Sequence, residues 1–266
     1  VFETIGSLKK HFPRVPLVLG GIYARLCSEH ARAHSGADQV VTDSGESLWE
    51  VVKAHTGWDA APGLDPGDLD GWPYPAFDLQ RRIPYVPLLT ARGCPFDCAY
   101  CAAHFLEPAR RRCSPESVLA EILFWHDRYG VREFAFYDDA LLVDAQRHAL
   151  PLLEGIIRSR RPLFFHTPNA LHIREITTES ATLMFRAGFH TVRLGLETTA
   201  FEARGGLDRK VNEAEFMQAV DCLRAAGFRA DQVGAYLLVG LPGQAVAAVE
   251  QSIRVVQRAG ITPILA

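Results

Sequence analysis

The sequence lacks the features that mark several classes of protein. It has no run of about 20 apolar residues that could cross a bilayer. Its start carries no charged-then-apolar signal segment. The net charge is only −3, which leaves no basic field over the whole molecule to attract nucleic acid. These absences leave no sign of a membrane or nucleic-acid partner.

Cysteine is also scarce, with six residues in a chain of 266. Three disulfides are one interpretation, but the chain is long, lacks a secretion signal and clusters half of its thiols. Metal-binding or catalytic cysteines in a reducing compartment fit that pattern better. Cys27, Cys113 and Cys222 stand apart from the cluster, and we interpret each as a small buried or half-buried apolar residue.

The composition is that of a globular protein, with 48% hydrophobic and 22% charged residues. Changes in residue composition and pattern along the chain divide it into three parts. They predict a partial α/β domain over 1–56, a linker rich in Pro, Gly and Asp over 57–84, and a second α/β domain over 85–266. The linker carries aromatic residues, so we expect it to pack along a surface. The chain starts without Met and ends directly after an apolar strand, so we expect it to be truncated at both ends.

Both predicted domains alternate strands with helices, which is typical of parallel sheets. In residues 1–56, "VPLVLGG" and "ADQVVTD" are predicted strands, and "TIGSLKKHF", "YARLCSEHARAH" and "GESLWEVVKAH" are predicted helices. These elements are too few for a complete Rossmann-like or flavodoxin-like domain. In residues 85–266, strands are predicted near 85–90, 132–138, 162–167, 190–196, 233–239 and 261–265, with helices near 115–129, 144–160, 178–187, 212–227 and 245–259. Six strands and five helices predict a partial (β/α)6 barrel.

Three cysteines, Cys94, Cys98 and Cys101, follow the first predicted barrel strand in "LLTARGCPFDCAYCAAHF". Parallel barrels build active sites at the carboxyl ends of their strands. One interpretation is a helix face of buried thiols, although Gly93 and Pro95 favour a loop. A second is a closed zinc site completed by His104, although zinc knuckles usually pair cysteines as C-x2-C. The third is a [4Fe–4S] cluster whose fourth iron has no cysteine and stays open to a ligand.

The motif "CPFDCAYC" resembles the signature of the radical S-adenosylmethionine (SAM) superfamily, C-x3-C-x-aromatic-C. The resemblance covers residues 85–266 and continues through "FAFYDDALLVD", "TPNAL", "VRLGLET" and "LLVGLPGQ", in the family's order. It implies that the open iron chelates SAM, and that one electron cleaves SAM to a 5′-deoxyadenosyl radical that removes a hydrogen atom from a substrate. It also implies a flavodoxin-type or ferredoxin-type electron donor.

The resemblance also implies roles for individual residues. It assigns Cys94, Cys98 and Cys101 as cluster ligands and Tyr100 as a neighbour of the adenine. The candidate cofactor contacts at the later strand ends are Asp138, Asp139, Asn169, Glu197, Gly240, Pro242 and Gly243. Each of these has a structural alternative: a solvated acidic loop for the aspartates, a loop cap for Asn169, a barrel hydrogen bond for Glu197 and a tight turn for the glycines.

The first domain resembles the later half of the cobalamin-binding domain that precedes many radical SAM barrels. "GG" after a strand and "ADQVVTDSGES" carry that resemblance. The D-x-H-x-x-G segment that supplies histidine to cobalt in part of that family is absent, so cobalamin is a suggestion for the full-length parent. The sequence therefore predicts a radical SAM enzyme, with a cobalamin-dependent methyltransferase as one possible reaction. A zinc-stabilised binding protein and a non-catalytic cluster scaffold remain the alternatives.

Overall fold

The computed structural model describes residues 1–43, 47–58, 65, 67–201, 208 and 211–266. The first part of the chain contains α1 (Phe2–His11), β1 (Val18–Leu19), α2 (Ile22–Leu26), α3 (Ser28–His34), β2 (Gln39–Val40) and α4 (Leu48–Thr56). β1 and β2 pair in parallel. The helix predicted from "YARLCSEHARAH" is two helices, because Cys27 leaves the helical region at φ −124° and ψ 47°. Gly45 and Glu46 of the predicted cobalamin-domain motif lie outside the described residues.

The second part of the chain contains every predicted barrel strand and helix. Its elements are β3 (Val86–Leu88), β4 (Ala91–Arg92), α5 (Ala103–Leu106), β5 (Arg111–Arg112), α6 (Pro115–Tyr129), β6 (Glu133–Phe136), α7 (Ala149–Ser159), β7 (Phe164–His166), α8 (Thr178–Ala187), β8 (Phe189–Glu197), α9 (Glu213–Ala226), β9 (Val233–Leu237), α10 (Val246–Arg258) and β10 (Thr262–Leu265). Six strands form one parallel sheet in the order β10-β9-β8-β7-β6-β3. This is the α/β fold of an open six-stranded barrel.

The core lies between this sheet and its helices. In β6, Phe134 and Phe136 are buried and stack on Phe165 of β7, with ring centroids 5.8 and 5.7 Å apart. Burying a phenylalanine side chain contributes roughly 1.5–3 kcal/mol. Successive side chains of a strand point to opposite faces, so Glu133 and Ala135 point to the other face, the interior of the open barrel.

Helix α6 shows how the sequence sets the limits of an element. Ser114 caps the amino end by accepting a hydrogen bond from the Ser117 amide, and Pro115 occupies the first turn, where its missing N–H costs nothing. Gly130 ends the helix in the left-handed region at φ 70°. The helix therefore has the bounds that the sequence predicted.

The segment between the two sheets packs against α6. The ring of Tyr74 lies 5.1 Å from that of Phe124, and the ring of Phe77 lies 5.5 Å from that of Trp125. The expected packing of the aromatic residues is therefore present, while residues 59–64 and 66 of the predicted linker lie outside the described residues. In the part of the chain that the structure describes, no helix combines the length and the apolar composition that crossing a bilayer requires.

Candidate functional site

The three clustered cysteines lie in a loop that a short antiparallel pair of strands holds at its base. β4 and β5 pair with Ala91 opposite Arg112 and Arg92 opposite Arg111. Gly93 follows β4 at φ +82°, and a Cβ there would lie 3.0 Å from the Glu107 carbonyl oxygen and 3.1 Å from that of Ala109. Only glycine fits this position, so Gly93 determines how the loop leaves the sheet.

Within the loop, the backbone organises the sulfur atoms. The Cys101 amide donates to the Cys98 carbonyl oxygen at 2.9 Å, which forms a tight turn between the two cysteines. The Ala103 amide donates to Cys101 Sγ at 3.4 Å. Cys98 is buried, and Cys94 and Cys101 are half-buried. Hydrogen bonds to sulfur and restricted solvent access are the means by which proteins tune iron–sulfur clusters.

The described residues contain no preformed site for a single metal ion. A zinc ion needs its donors within about 2.0–2.3 Å of one point. Among the described residues, no three His, Cys, Asp or Glu side chains meet that requirement. His104, the proposed fourth zinc ligand, packs on Phe105 with the ring centroids 3.9 Å apart. Cysteines that bind different irons of a cubane need not converge on one point, so the loop is compatible with a cluster.

The other cysteines do not provide a fourth ligand. Burial raises the pKa of the Cys113 thiol to about 11, with Asp70 and Glu121 adding to the shift, so this thiol stays protonated at neutral pH. Cys27 is exposed at the junction of α2 and α3. Cys222 lies on α9, with its sulfur 3.6 Å from Thr178 Oγ1. The loop therefore presents three thiols, as the sequence predicted.

Tyr100 ties the cysteine loop to the loop after β8. Its hydroxyl donates to Asp208 Oδ2 at 2.9 Å, and Asp208 is buried. Burial raises the pKa of the Tyr100 phenol strongly, and the nearby Glu197 and Asp208 carboxylates raise it further. The sequence did not single out Asp208, because only the fold places residue 208 beside residue 100.

Glu197 ends β8 in an unusual backbone conformation. It has φ +64°, it is 9% exposed, and the pairing of β8 with β9 shifts register between Gly195 and Glu197. A Cβ on Gly195 would lie 3.3 Å from Glu197 Oε1, so the glycine leaves room for this carboxylate. A non-glycine residue in this region carries strain, and such residues cluster at functional sites.

Asp138 follows β6 and is buried beside the segment that leads into the cysteine loop. It is 3% exposed, and its Oδ1 accepts hydrogen bonds from Thr90 Oγ1 at 2.8 Å and from the Ala91 amide at 2.6 Å. His148 Nε2 lies 2.7 Å from the same Thr90 hydroxyl. These contacts tie Oδ1 of Asp138 to the residues that lead into the cysteine loop. Asp139, the second predicted carboxylate of this segment, is exposed.

The remaining predicted contacts lie at the ends of neighbouring strands. Asn169 follows β7, and its Nδ2 donates to the Tyr137 carbonyl oxygen at 2.6 Å. Gly240 and Gly243 have φ +89° and +74°, and both they and Pro242 are exposed in the turn after β9. Gln244 closes this turn, because its Oε1 accepts from the Gly240 amide at 2.8 Å.

Several residues at the site escaped the sequence analysis. His172 is buried with its Nε2 3.6 Å from Cys94 Sγ and its ring against Phe96, at a centroid distance of 4.3 Å. Thr90 and His148 complete the buried network of Asp138. Lone histidines and threonines are common in protein cores, so no local pattern distinguishes these ones. Only their proximity in the fold does.

Comparison with known proteins agrees with this geometry. Residues 88–256 match the model of the radical SAM superfamily. The match covers more than half of the chain and includes the three cysteines, so the chain belongs to the radical SAM superfamily. As in that family, the cysteine loop follows the first strand of the barrel.

The curated relatives are methyltransferases by name. The chain is 25% identical over 202 residues to an uncharacterized methyltransferase of Pyrococcus horikoshii, over 73% of this chain and 43% of that protein. It is 27% identical over 194 residues to cytidylyl-2-hydroxyethylphosphonate methyltransferase of Streptomyces wedmorensis, over 66% of this chain and 35% of that protein. The chain thus spans less than half the length of each of these relatives.

Two solved structures share the fold over almost the whole chain. One is the radical SAM methyltransferase TsrM of Kitasatospora setae, with a TM-score of 0.77 and 19% identity, covering 99% of this chain and 57% of that one. The other is OxsB, a cobalamin-dependent SAM radical enzyme, with a TM-score of 0.68 and 15% identity, covering 99% of this chain and 42% of that one. At these identities the likeness shows the fold.

Proposed function

We propose that this protein is a radical SAM methyltransferase that holds a [4Fe–4S] cluster on Cys94, Cys98 and Cys101. The observation that carries the proposal is the loop of three thiols at the carboxyl ends of a parallel sheet, within a chain that belongs to the superfamily. When bound, the cluster supplies the electron that cleaves SAM and leaves a 5′-deoxyadenosyl radical. Methyl transfer is proposed because both curated relatives described above carry that name.

The residues of the chain hold and orient the cofactors in this proposal. The Ala103 amide holds the Cys101 sulfur in position through its hydrogen bond to that atom. Asp138 and Asp139 offer carboxylates for the SAM ammonium group, and Glu197 offers a further one near the ribose or the methionine. Tyr100 lies beside the adenine. Its hydrogen bond to Asp208 holds the ring in place and helps to keep water from the site.

The turn residues have a separate part in the proposal. Gly240 and Gly243 present backbone without side chains, and a Cβ on either would meet no atom within 4 Å, so a ligand can approach the turn closely. Pro242 restricts the conformation of that turn. Asn169 belongs to the same rim, where its hydrogen bond to the Tyr137 carbonyl holds the ends of β6 and β7 together.

Cobalamin is proposed as a further cofactor of the whole protein. The crevice beyond the carboxyl ends of β1 and β2 is where a flavodoxin-like domain binds ligands. A cavity of about 320 Å³ lies there, lined by Gly20, Gly21 and Ile22 among others. TsrM and OxsB, which share the fold, were solved with cobalamin. The division into domains at residues 56 and 84 belongs to this proposal too.

The reaction also requires a source of electrons. Enzymes of this superfamily need a reductant, and we propose a flavodoxin-type or ferredoxin-type protein as the donor, working in the cytoplasm, where clustered thiols stay reduced. The substrate of the whole protein is taken up below.

Anaerobic incubation tests the proposed function. The full-length protein, reconstituted with iron and sulfide, is incubated with dithionite and SAM that carries a deuterated methyl group. Mass spectrometry then follows 5′-deoxyadenosine and labelled products. We expect 5′-deoxyadenosine from the wild-type protein and none from Cys98→Ala. A protein that binds a full cluster and SAM but never cleaves SAM would instead be a non-catalytic scaffold.

A further inference from the structure

A second cavity lies inside the open barrel, apart from the cysteine loop. Its volume is about 430 Å³, within the range of small-molecule sites. Its walls are side chains of β6 to β9 that alternate with the phenylalanines of the core, for example Glu133 and Ala135 beside Phe134. None of the cysteines and none of the proposed SAM contacts line it.

The cavity reaches toward the amino ends of the strands. Glu133 is the first residue of β6, and Thr191 and Arg193 are the third and fifth residues of β8. Glu197, at the other end of β8, is four residues beyond Arg193, which corresponds to about 13 Å along an extended strand. A molecule in this cavity would therefore lie below the cysteine loop, with one end directed toward it.

One part of the lining is acidic. His166 Nε2 lies 2.9 Å from Glu133 Oε2, and His166 Nδ1 lies 2.9 Å from Thr191 Oγ1. The imidazole thus holds the Glu133 carboxylate in one position from a neighbouring strand. A carboxylate has more lone pairs than this one contact uses, so Glu133 can still accept hydrogen bonds from a ligand.

Another part of the lining is basic. Arg193 Nη1 donates to the carbonyl oxygens of Val192 and Gln232 at 3.1 and 3.3 Å. Carbonyl groups position a guanidinium but do not neutralise it. Across the described ranges, no carboxylate lies within ion-pair distance of Arg193. The positive charge is therefore available to an anionic group of a ligand.

Three tyrosines form the rest of the wall. Tyr85 and Tyr137 are 45% and 39% exposed. Tyr236 donates its hydroxyl to the Pro168 carbonyl oxygen at 2.9 Å. This bond fixes the polar end of Tyr236, and the rings of all three tyrosines line the cavity, where a ligand can pack against them. Aromatic rings favour a flat, apolar partner.

We propose that this cavity binds an aromatic amino acid, with its carboxylate on Arg193, its ammonium group on Glu133 and its ring among Tyr85, Tyr137 and Tyr236. A zwitterion matches a lining that offers one cation and one anion, and a planar side chain matches the tyrosines. The inference rests on the proposed function only in taking this ligand, free or as part of a larger molecule, as the substrate.

Equilibrium dialysis with matched ligands tests the proposal on the full-length, cluster-bearing protein. The probes are L-phenylalanine, phenethylamine, which lacks the carboxylate, 3-phenylpropionate, which lacks the ammonium group, and L-leucine, which lacks the ring. We expect L-phenylalanine to bind one site and to bind about tenfold or more tightly than each of the others, because a charge-assisted hydrogen bond is lost in two cases and the ring contact in the third.

Variants assign each charge to its residue. Arg193→Gln should weaken the binding of L-phenylalanine about tenfold, so that L-phenylalanine no longer binds more tightly than phenethylamine. Arg193→Lys should keep most of the affinity. Glu133→Gln should abolish the advantage over 3-phenylpropionate. Arg158→Gln and Glu154→Gln are matched controls, because this pair is exposed on α7 and should leave binding unchanged. Thermal unfolding shows whether each variant is folded.

Three results would overturn the proposal. They are no binding of L-phenylalanine to folded protein, equal binding of phenethylamine, or an unchanged affinity in folded Arg193→Gln. The SAM cleavage assay separates this inference from the proposed function. Formation of 5′-deoxyadenosine without binding of L-phenylalanine overturns only the inference, whereas binding without SAM cleavage overturns only the proposed function.

Discussion

Single residues of the cysteine loop should differ sharply in what their loss does. Replacing Cys94, Cys98 or Cys101 by Ala removes one of three protein ligands, so we expect each variant to lose the cluster. Iron and sulfide per chain and the absorbance near ~400 nm measure this. Cys222→Ala is the control, because Cys222 lies on α9, away from the loop. Iron loss in the control together with an intact cluster in Cys98→Ala would disprove the assignment.

The buried pair Asp138 and His148 should make opposite contributions to the pH dependence of stability. Burial raises the pKa of Asp138 to about 6, so its contribution is largest at low pH and is lost as pH rises from about 4 to 6. Burial, with Arg112 and Arg110, lowers the pKa of His148 to about 4. Its contribution is present above about 6.5 and is lost as pH falls to about 4.

Removing one of the two titrating groups should therefore leave the pH dependence of stability that the other group causes. Asp138→Asn should lose stability as pH falls toward 4, by at most about 3.5 kcal/mol, and His148→Gln should lose stability as pH rises toward 6, by at most about 3 kcal/mol, at about 1.4 kcal/mol per pKa unit. Urea unfolding at several pH values measures the slopes. Slopes of the same sign in the two variants would show that the two groups do not titrate as their burial implies.

At the scale of elements, Gly93 should decide whether the cysteine loop can form at all. In Gly93→Ala, the new Cβ would meet backbone oxygens 3.0 and 3.1 Å away, at a φ that alanine rarely adopts. We expect most of the cluster to be lost while the barrel stays folded, as measured by iron content and circular dichroism. Gly130→Ala is the matched control.

The control residue, Gly130, has a positive φ like Gly93 but lacks the close backbone contacts. Gly130 has φ +70°, and its added Cβ would meet nothing within 4 Å. We expect Gly130→Ala to lower the free energy of unfolding by roughly 1–2 kcal/mol and to leave the iron content unchanged. If Gly93→Ala kept its cluster, or if Gly130→Ala lost as much iron, the backbone contacts at Gly93 would not be what shapes the loop.

At the scale of the whole molecule, the first sheet should contribute only part of a cobalamin site. In the described residues it has two parallel strands. The residues that line its cavity of about 320 Å³ are Val18, Gly20, Gly21, Ile22, Arg25, Val41, Asp43 and Leu48. A pocket that lacks one wall makes fewer contacts with its ligand, while the entropic cost of immobilising the ligand stays the same. We therefore expect residues 1–266 alone to bind hydroxocobalamin weakly in equilibrium dialysis, and the full-length protein to bind it tightly. Tight stoichiometric binding by residues 1–266 would contradict this.

The sequence by itself determined the elements of the barrel and the three thiols. Six apolar strands separated by capped helices can bury their surfaces only as a parallel sheet covered by those helices, and a C-x3-C-x2-C loop after the first strand carries its chemistry locally. Signals of this kind depend on neighbours in the chain, which is why α6 and α8 have the bounds that the sequence predicted.

Only the tertiary structure decided which distant side chains meet. Asp138 and Asp139 are adjacent in sequence, yet one is buried against Thr90 and the other is exposed. Tyr100 meets Asp208, and Glu133 meets His166, across separations of 108 and 33 residues. Such contacts depend on strand register and on side-chain alternation in the folded sheet, and a shift of one residue would send each side chain to the opposite face.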